Sequence, residues 1–163
     1  MTLTREIDEQ ATRYGARCFV NDCVDVCLSI FGVGIHLRSD GLPVDQVRRL
    51  VGPDRLIAVS THSSDEVQRA EQHGADFVVL GPIYDTPSKR GFGQPIGPAV
   101  IDAARSKSHL PIFAIGGIAQ DNVGEVMGVG ASGIAVISAV MEAPDVGLMT
   151  RELCAEIDRH RIS

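Results

Sequence analysis

Short runs of β-branched and aliphatic residues alternate with amphipathic stretches of helical length along almost the whole chain. This alternation predicts repeated βα units, in which neighbouring strands run parallel and helices cover the sheet. The predicted strands are Arg17–Asn21, Gly34–Leu37, Leu56–Thr61, Phe77–Gly81, Pro111–Gly116 and Gly133–Ser138. The predicted helices are Arg5–Tyr14, Val24–Phe31, Pro43–Val51, Ser64–His73, Pro98–Ser106, Gln120–Val129 and Val146–His160. We therefore expect an α/β protein built on one parallel sheet.

A glycine–alanine pair recurs between a helix and the next strand, with its glycine at Gly15, Gly74 and Gly130. A glycine just past a helix end suits the left-handed conformation that often ends a helix. The recurrence indicates one supersecondary unit reused around a single sheet. At 163 residues, with no linker or low-complexity segment, the chain is expected to form one domain over residues 1–163.

Six parallel strands are fewer than a closed (β/α)8 barrel contains, and such barrels typically run to about 250 residues. We therefore predict a TIM-barrel-like sheet that is short of its first units. Open first and last strands would leave unpaired backbone edges. Three explanations agree with this pattern. A homo-oligomeric partner covers the edge beside Arg17–Asn21, the sheet stays open with helices on both faces, or the chain is a fragment of a longer barrel.

Charge and composition exclude several classes of function. A net charge of −6 and a pI near 5.3 argue against binding nucleic acid, which requires a basic face. Aromatic residues make up 4% of the chain and tryptophan is absent, so a base-stacking surface is not expected. No apolar run is long enough to span a membrane, and the charged N-terminus does not resemble a signal peptide. We expect a cytoplasmic protein.

The four cysteines Cys18, Cys23, Cys27 and Cys154 do not form a metal-binding pattern. Cys23 and Cys27 would share a helix face, so a two-ligand metal site is conceivable. We interpret the cysteines instead as small, buried apolar residues in a reduced cytosol.

Segments that contain polar residues or glycines follow three of the later strands, at the end of the sheet where parallel α/β proteins bind ligands. These residues are Lys89, Gly116, Gly117, Ile137 and Ser138. Lys89 is one of only two lysines in the chain. Backbone N–H groups at such turns, together with a lysine, suit a phosphate group. The sequence therefore predicts a small phosphorylated ligand at this end of the sheet.

Six motifs in order and spacing resemble the thiamine phosphate synthase/TenI superfamily from about Asp8 to the C-terminus. The motifs are Phe19-Val20-Asn21-Asp22, Gly34-Ile35-His36-Leu37, Val59-Ser60-Thr61-His62-Ser63, Gly74-Ala75-Asp76-Phe77 with Gly81-Pro82-Ile83-Tyr84 and Thr86-Pro87-Ser88-Lys89, Ala114-Ile115-Gly116-Gly117-Ile118, and Gly133-Ile134-Ala135-Val136-Ile137-Ser138. The resemblance implies a (β/α)8 barrel of which the first strand, first helix and second strand have no counterpart here. It also implies that a small thiazole phosphate binds at Asn21, Ser60, Lys89, Gly116, Gly117, Ile137 and Ser138.

The sequence departs from the family's synthases at a magnesium ligand. Those synthases resemble His-Leu-Gly-Gln-x-Asp-Leu-Pro at this point, and their Asp binds the metal. Here Gly41 occupies that position, and Asp40 lies one residue earlier. Asp22 matches the family's other metal ligand, although a turn followed by a helix cap would also explain an Asn-Asp pair ending a strand. We therefore expect Mg²⁺ at Asp22 and Asp40 only if the chain is a synthase.

The thiazole tautomerase branch of the superfamily needs neither metal nor diphosphate, and it resembles this chain in lacking that Asp. Its proposed acid/base residue falls on His62, and a histidine can donate and accept protons near neutral pH. A structural cap of the following helix is the other interpretation of His62. We expect a cofactor-free thiazole tautomerase with little or no synthase activity. The alternatives are thiamine phosphate synthase, which joins a pyrimidine diphosphate to thiazole phosphate with release of diphosphate, and a catalytically silent phosphate-ligand binder or fragment.

Overall fold

The computed structural model describes residues 2–86 and 94–160. These residues form one sheet of six parallel strands, hydrogen-bonded to one another in chain order. The strands are β1 (Phe19–Asn21), β2 (Gly34–Leu37), β3 (Ile57–Thr61), β4 (Phe77–Leu80), β5 (Ile112–Ile115) and β6 (Gly133–Ala135). The helices are α1 (Thr2–Arg13), α2 (Val24–Ser29), α3 (Val44–Val51), α4 (Ser64–Gln72), α5 (Ala99–Arg105), α6 (Val123–Gly128), α7 (Ser138–Met141) and α8 (Val146–His160). The predicted TIM-barrel-like fold with six parallel strands is confirmed.

The last strand is shorter than predicted, and a short helix follows it. Strand β6 pairs with β5 only as far as Ala135, which lies opposite Ile115. Beyond Ile115 the chain turns away at Gly116, whose φ of 97° is incompatible with an extended strand, so β6 loses its partner. The backbone then coils, and the Met141 N–H donates to the Ile137 carbonyl at 2.8 Å. The prediction that Ile137 and Ser138 lie in the strand was therefore wrong.

The sheet buries the side of each strand that faces the helices. Helix-facing side chains on strands β2 to β5 are at most 6% exposed. They are Ile35, Leu37, Ile57, Val59, Val78, Leu80, Ile112 and Ala114. They form one core with residues of α4, α5 and α6, including Val67, Ile101 and Val126. Burial of this aliphatic layer supplies the main driving force for folding.

Three phenylalanines occupy the opposite, inner side of the sheet. The ring centroids of Phe19 and Phe77 lie 5.3 Å apart, as do those of Phe77 and Phe113, and both pairs meet edge to face. Because β1 and β4 are not neighbours in the sheet, the first contact shows that the sheet curls toward this side. Glycines opposite the rings make room for them: a Cβ at Gly34 would lie 2.4 Å from the Phe19 ring, and one at Gly133 would lie 2.8 Å from the Phe113 ring.

Two arginines hold the loops that enter the strands at their amino ends. The Arg48 guanidinium donates to the carbonyls of Gly74 and Arg55 and to the Asp76 carboxylate, at 2.6 to 3.1 Å. Asp76 also accepts the Ile57 N–H at 2.6 Å. Arg55 donates to three carbonyls around the end of α2, those of residues 27, 30 and 33. These contacts fix the loops at the amino end of the sheet. A different set of loops covers its carboxyl end.

Of the four cysteines, which the sequence predicts to be buried, only Cys27 is buried. Cys27 is fully buried, and its thiol donates to the Val33 carbonyl at 3.3 Å, while Cys23 and Cys154 are exposed. Burial raises the pKa of the Cys27 thiol, against a smaller opposing effect of Arg55.

Within residues 2–86 and 94–160, no group of three or more His, Cys, Asp or Glu side chains is arranged to hold a metal ion. Each helix in the described ranges is too short or too polar to span a lipid bilayer.

Candidate functional site at the carboxyl ends of the strands

The site is built on the rim, which we define as the loops that follow the carboxyl ends of the six strands. At the carboxyl end of β1, Asn21 is exposed and its carbonyl accepts the Cys23 N–H at 2.8 Å. Asp22 has a φ of 56°, in the left-handed region that few residues other than glycine adopt. Its N–H donates to the His36 carbonyl at 2.9 Å, which continues the β1–β2 ladder by one residue. This unusual backbone turns the Asp22 carboxylate toward the loop that follows β2.

Arg38, in the loop after β2, contacts two rim carboxylates. Its backbone N–H donates to Asp22 Oδ1 at 3.0 Å, and its Nε lies 3.6 Å from Asp22 Oδ2. Its guanidinium also binds both oxygens of Asp40, at 2.9 and 2.8 Å, in the bidentate geometry that suits a carboxylate. The hydrogen bond and the charge of Arg38 lower the pKa of the Asp40 carboxyl. The structure thus brings together the two predicted metal ligands, Asp22 and Asp40, but places an arginine with them.

These residues do not fit a magnesium site. Each carboxylate accepts a hydrogen bond or ion pair from Arg38, and the two aspartates with Arg38 carry a net charge of −1. Gly41 lies beside Asp22, where a Cβ would be 3.1 Å from Asp22 Oδ1, so the third residue of this corner offers no oxygen from its side chain. Mg²⁺ requires near-octahedral coordination by oxygen at short distances.

His36 and Ser60 form a polar pair on the inner side of the sheet. His36 Nε2 lies 3.0 Å from Ser60 Oγ, across the β2–β3 ladder. Burial lowers the pKa of His36, and the charge of Asp22 opposes this effect. The predicted substrate residue Ser60 is therefore paired with a half-buried histidine that the sequence did not identify as a site residue. The period of two in the parallel strands is the signal that could have found it, because His36 and Ser60 both fall on inner positions.

His62 lies on the rim after β3, exposed, at the start of α4. Its backbone N–H donates to Glu66 Oε2 at 2.7 Å, and Ser63 Oγ accepts the Glu66 N–H at 3.2 Å. This reciprocal arrangement resembles a capping box, and it makes Ser63 the N-cap of α4. In the described part of the chain, no hydrogen bond or ion pair involves the His62 imidazole. The backbone of His62 has a clear structural role, while a catalytic role of its side chain stays a prediction.

The loops after β4 and β5 are joined to each other. The Ile83 N–H donates to the Ile115 carbonyl at 2.8 Å, and the Tyr84 N–H donates to the Gly116 carbonyl at 3.0 Å. Gly117 has a φ of 62°, and a Cβ there would lie 2.6 Å from the Asp85 carbonyl oxygen. The glycine at this position is therefore required by the neighbouring loop, whether or not a ligand approaches. Lys89, predicted to bind phosphate from the same loop, lies outside the described residues.

Side chains from α6 and its N-cap support these loops. Asn122 donates from Nδ2 to the Gly117 carbonyl at 2.9 Å and accepts the Ala119 N–H at 2.9 Å. The Tyr84 hydroxyl donates to the Glu125 carboxylate. Burial and this hydrogen bond raise the pKa of Tyr84. The turn at Gly116-Gly117 is thus held on both sides by the protein itself.

Ile137 and Ser138 follow β6 and are both exposed, and Ser138 begins α7. They lie on the same rim as the turn at Gly116-Gly117, because β5 and β6 are parallel neighbours. The rim therefore carries polar groups after β1, β2 and β3 and tight turns after β5 and β6. Ligands of parallel barrel proteins bind at this end of the strands, and phosphates commonly bind at the last two loops.

A curled parallel sheet with such a rim defines a protein of the (β/α)-barrel class. The chain belongs to the thiamine monophosphate synthase family, whose model matches residues 1–140. It is 40% identical to the thiamine-phosphate synthase of Shouchella clausii over 94% of this chain and 74% of that protein. It is also 40% identical to the thiamine-phosphate synthase of Moorella thermoacetica, over 98% of this chain and 76% of that protein.

A solved structure gives the same result. The thiamine phosphate pyrophosphorylase from Pyrococcus furiosus superposes with a TM-score of 0.83 and 34% identity, over 96% of this chain and 78% of that chain. The predicted superfamily is therefore confirmed, and the chain is a member of an enzyme family of thiamine biosynthesis. The names of these relatives support the alternative we considered, the synthase, over the expected tautomerase.

Proposed function

We propose that the chain is a thiamine-phosphate synthase, which joins a thiazole phosphate to a pyrimidine diphosphate and releases diphosphate. The observation that carries this proposal is the 40% identity to two proteins of that name over nearly the whole of this chain. The rim agrees with it, because a reaction between two phosphorylated substrates needs several polar groups at one end of the sheet.

Each predicted substrate residue has a part in this proposal. Asn21 and Ser60 present polar groups at the end of β1 and on β3, where they would orient a substrate. The turn at Gly116-Gly117 and the Ile137-Ser138 segment would hold the phosphate of the thiazole through backbone N–H groups and the Ser138 hydroxyl. Lys89 would add a positive charge to the same group.

The test is to mix the chain with thiazole phosphate and pyrimidine diphosphate, with and without Mg²⁺, and to measure thiamine phosphate by its conversion to fluorescent thiochrome. We expect turnover of about 1 s⁻¹ or more, as is typical of enzymes. Ser60→Ala should lower the turnover, whereas Ser106→Ala, at the exposed C-cap of α5, should not. Absence of product, with thiazole phosphate still bound, would instead indicate a catalytically silent binder.

A thiazole tautomerase is the second candidate, and one observation favours it. Arg38 stands with the two rim aspartates, and Gly41 supplies no carboxylate, which suits a reaction that needs no metal. In this reaction His62 would transfer the proton, which is typically worth about 10²–10⁴-fold in rate. His62→Gln should then slow conversion of the thiazole tautomer by that factor. An effect of His36→Gln, with none of His62→Gln, would move the acid/base role to the inner histidine.

We also propose that the chain acts as a homo-oligomer. Among the described strands, β1 pairs only with β2, so its other edge has no strand beside it. A second copy covering this edge would pair its backbone groups. Sedimentation at micromolar concentration should show a dimer or larger species. A compact monomer that unfolds cooperatively would contradict the proposal.

A further inference from the structure

We infer that the Arg38 guanidinium takes the place of a divalent cation at the corner of the rim formed by Asp22, Asp40 and Gly41, so that this site works without a metal. The inference uses the proposed function only to name the ligand, because metal binding can be measured without any substrate.

The first support is the contacts of Arg38 itself. It contacts Asp22 with both its backbone N–H and its Nε, and it binds Asp40 through two parallel hydrogen bonds. A cation that bridged the two carboxylates would have to displace the guanidinium from both of them. The arginine thus supplies the positive charge that this pair of carboxylates requires.

The second support is the arrangement of positions 38 and 41. The Gly41 N–H donates to the Arg38 carbonyl at 3.1 Å, and both residues lie beside the Asp22 carboxylate. A Cβ at Gly41 would lie 3.1 Å from Asp22 Oδ1, so an aspartate there would stand directly beside Asp22. The corner therefore holds a positive charge at Arg38 and no third carboxylate at Gly41.

The net charge of the corner agrees with the replacement of a divalent cation by Arg38. Two carboxylates and one guanidinium leave one negative charge, whereas three carboxylates would need a divalent ion to reach the same value. The Arg38 side chain is 58% exposed, so water screens its ion pairs with the two aspartates. Metal binding therefore has to be measured directly.

The test is titration of Mn²⁺, followed by electron paramagnetic resonance of the free ion. The wild-type chain should show no saturable site below about 1 mM, a concentration at which weak oxygen-ligand sites are already occupied. Affinity for thiazole phosphate should be the same in Mg²⁺ and in EDTA. A submillimolar Mn²⁺ site in the wild-type chain that Asp22→Asn abolishes would overturn the inference, and this measurement needs no destabilising variant.

The double variant Arg38→Gly with Gly41→Asp tests the same point in reverse. It should bind Mn²⁺ at least about tenfold more tightly than the wild type, since it removes the internal cation and adds a carboxylate. The matched control is Arg49→Ala with Gly128→Asp, which changes the net charge equally. Arg49 pairs with Asp45 on α3, and a Cβ at Gly128 meets no atom within 4 Å. Equal Mn²⁺ affinity of the two folded double variants would contradict the assignment. Loss of synthase activity alone would not contradict the assignment, because it would concern the proposed function and not the metal.

Discussion

The two ends of the sheet use arginine in opposite ways. At the amino end, Arg48 is 21% exposed and donates mainly to backbone carbonyls of loops that it connects. At the carboxyl end, Arg38 is 58% exposed and pairs with carboxylates of the rim. The first arrangement leaves polar backbone groups without a partner if the arginine is lost, whereas water can replace the second. The comparison predicts that contacts at the amino end contribute more to stability than those at the carboxyl end.

Arg48→Ala should have the largest effect on stability. It removes the donors to the Gly74 and Arg55 carbonyls and leaves Asp76 without its ion pair, so we expect a loss of about 3 kcal/mol in the free energy of unfolding. Urea unfolding followed by circular dichroism measures it. Arg49→Ala is the control, because Arg49 makes an exposed pair within one helix and its loss should cost less than about 0.5 kcal/mol. Equal losses would remove the distinction between the two ends.

Ser138→Ala should change binding but not stability. The hydroxyl is exposed, and within the described residues it makes no hydrogen bond, so the free energy of unfolding should stay within about 0.5 kcal/mol of the wild type. Loss of one hydrogen bond to the phosphate should weaken thiazole phosphate binding by about fivefold, which corresponds to roughly 1 kcal/mol. Isothermal titration calorimetry measures the affinity. If binding is unchanged while stability falls, the segment after β6 is structural.

The pH dependence of stability should show the smallest effect, and it concerns His36. Because burial lowers the pKa of His36 in the folded chain, the unfolded chain binds its proton more readily. The neutral form of His36 contributes fully to the free energy of unfolding above about pH 6.5. This contribution is lost as the pH falls from there through the pKa of His36 in the folded chain. His36→Gln should flatten this part of a urea-midpoint profile measured against pH. The exposed His62, replaced by Gln, controls for the loss of a histidine as such, and an equal flattening would contradict the prediction.

The fold could be predicted from the sequence because its signals are local. Strand β2 is found with the predicted ends, and the other strands differ by one to three residues. The helix α7 could not be predicted, since it depends on Gly116 ending the neighbouring strand. The same limit applies to the site. The sequence identified Asp22 and Asp40 by resemblance, but it could not show that Arg38 binds both, because that contact depends on the paths of two loops.

The aromatic contacts inside the sheet have a consequence for the order in which the chain folds. Each strand pairs with the next strand in sequence, so every ladder closes a loop of modest length. Phe19 and Phe77, in contrast, are about 60 residues apart, and joining such distant residues costs more loop-closure entropy before any contact forms. We expect the ladders to form first and the curl to follow when the rings meet. A Phe77→Leu variant should then unfold faster while refolding at nearly the wild-type rate.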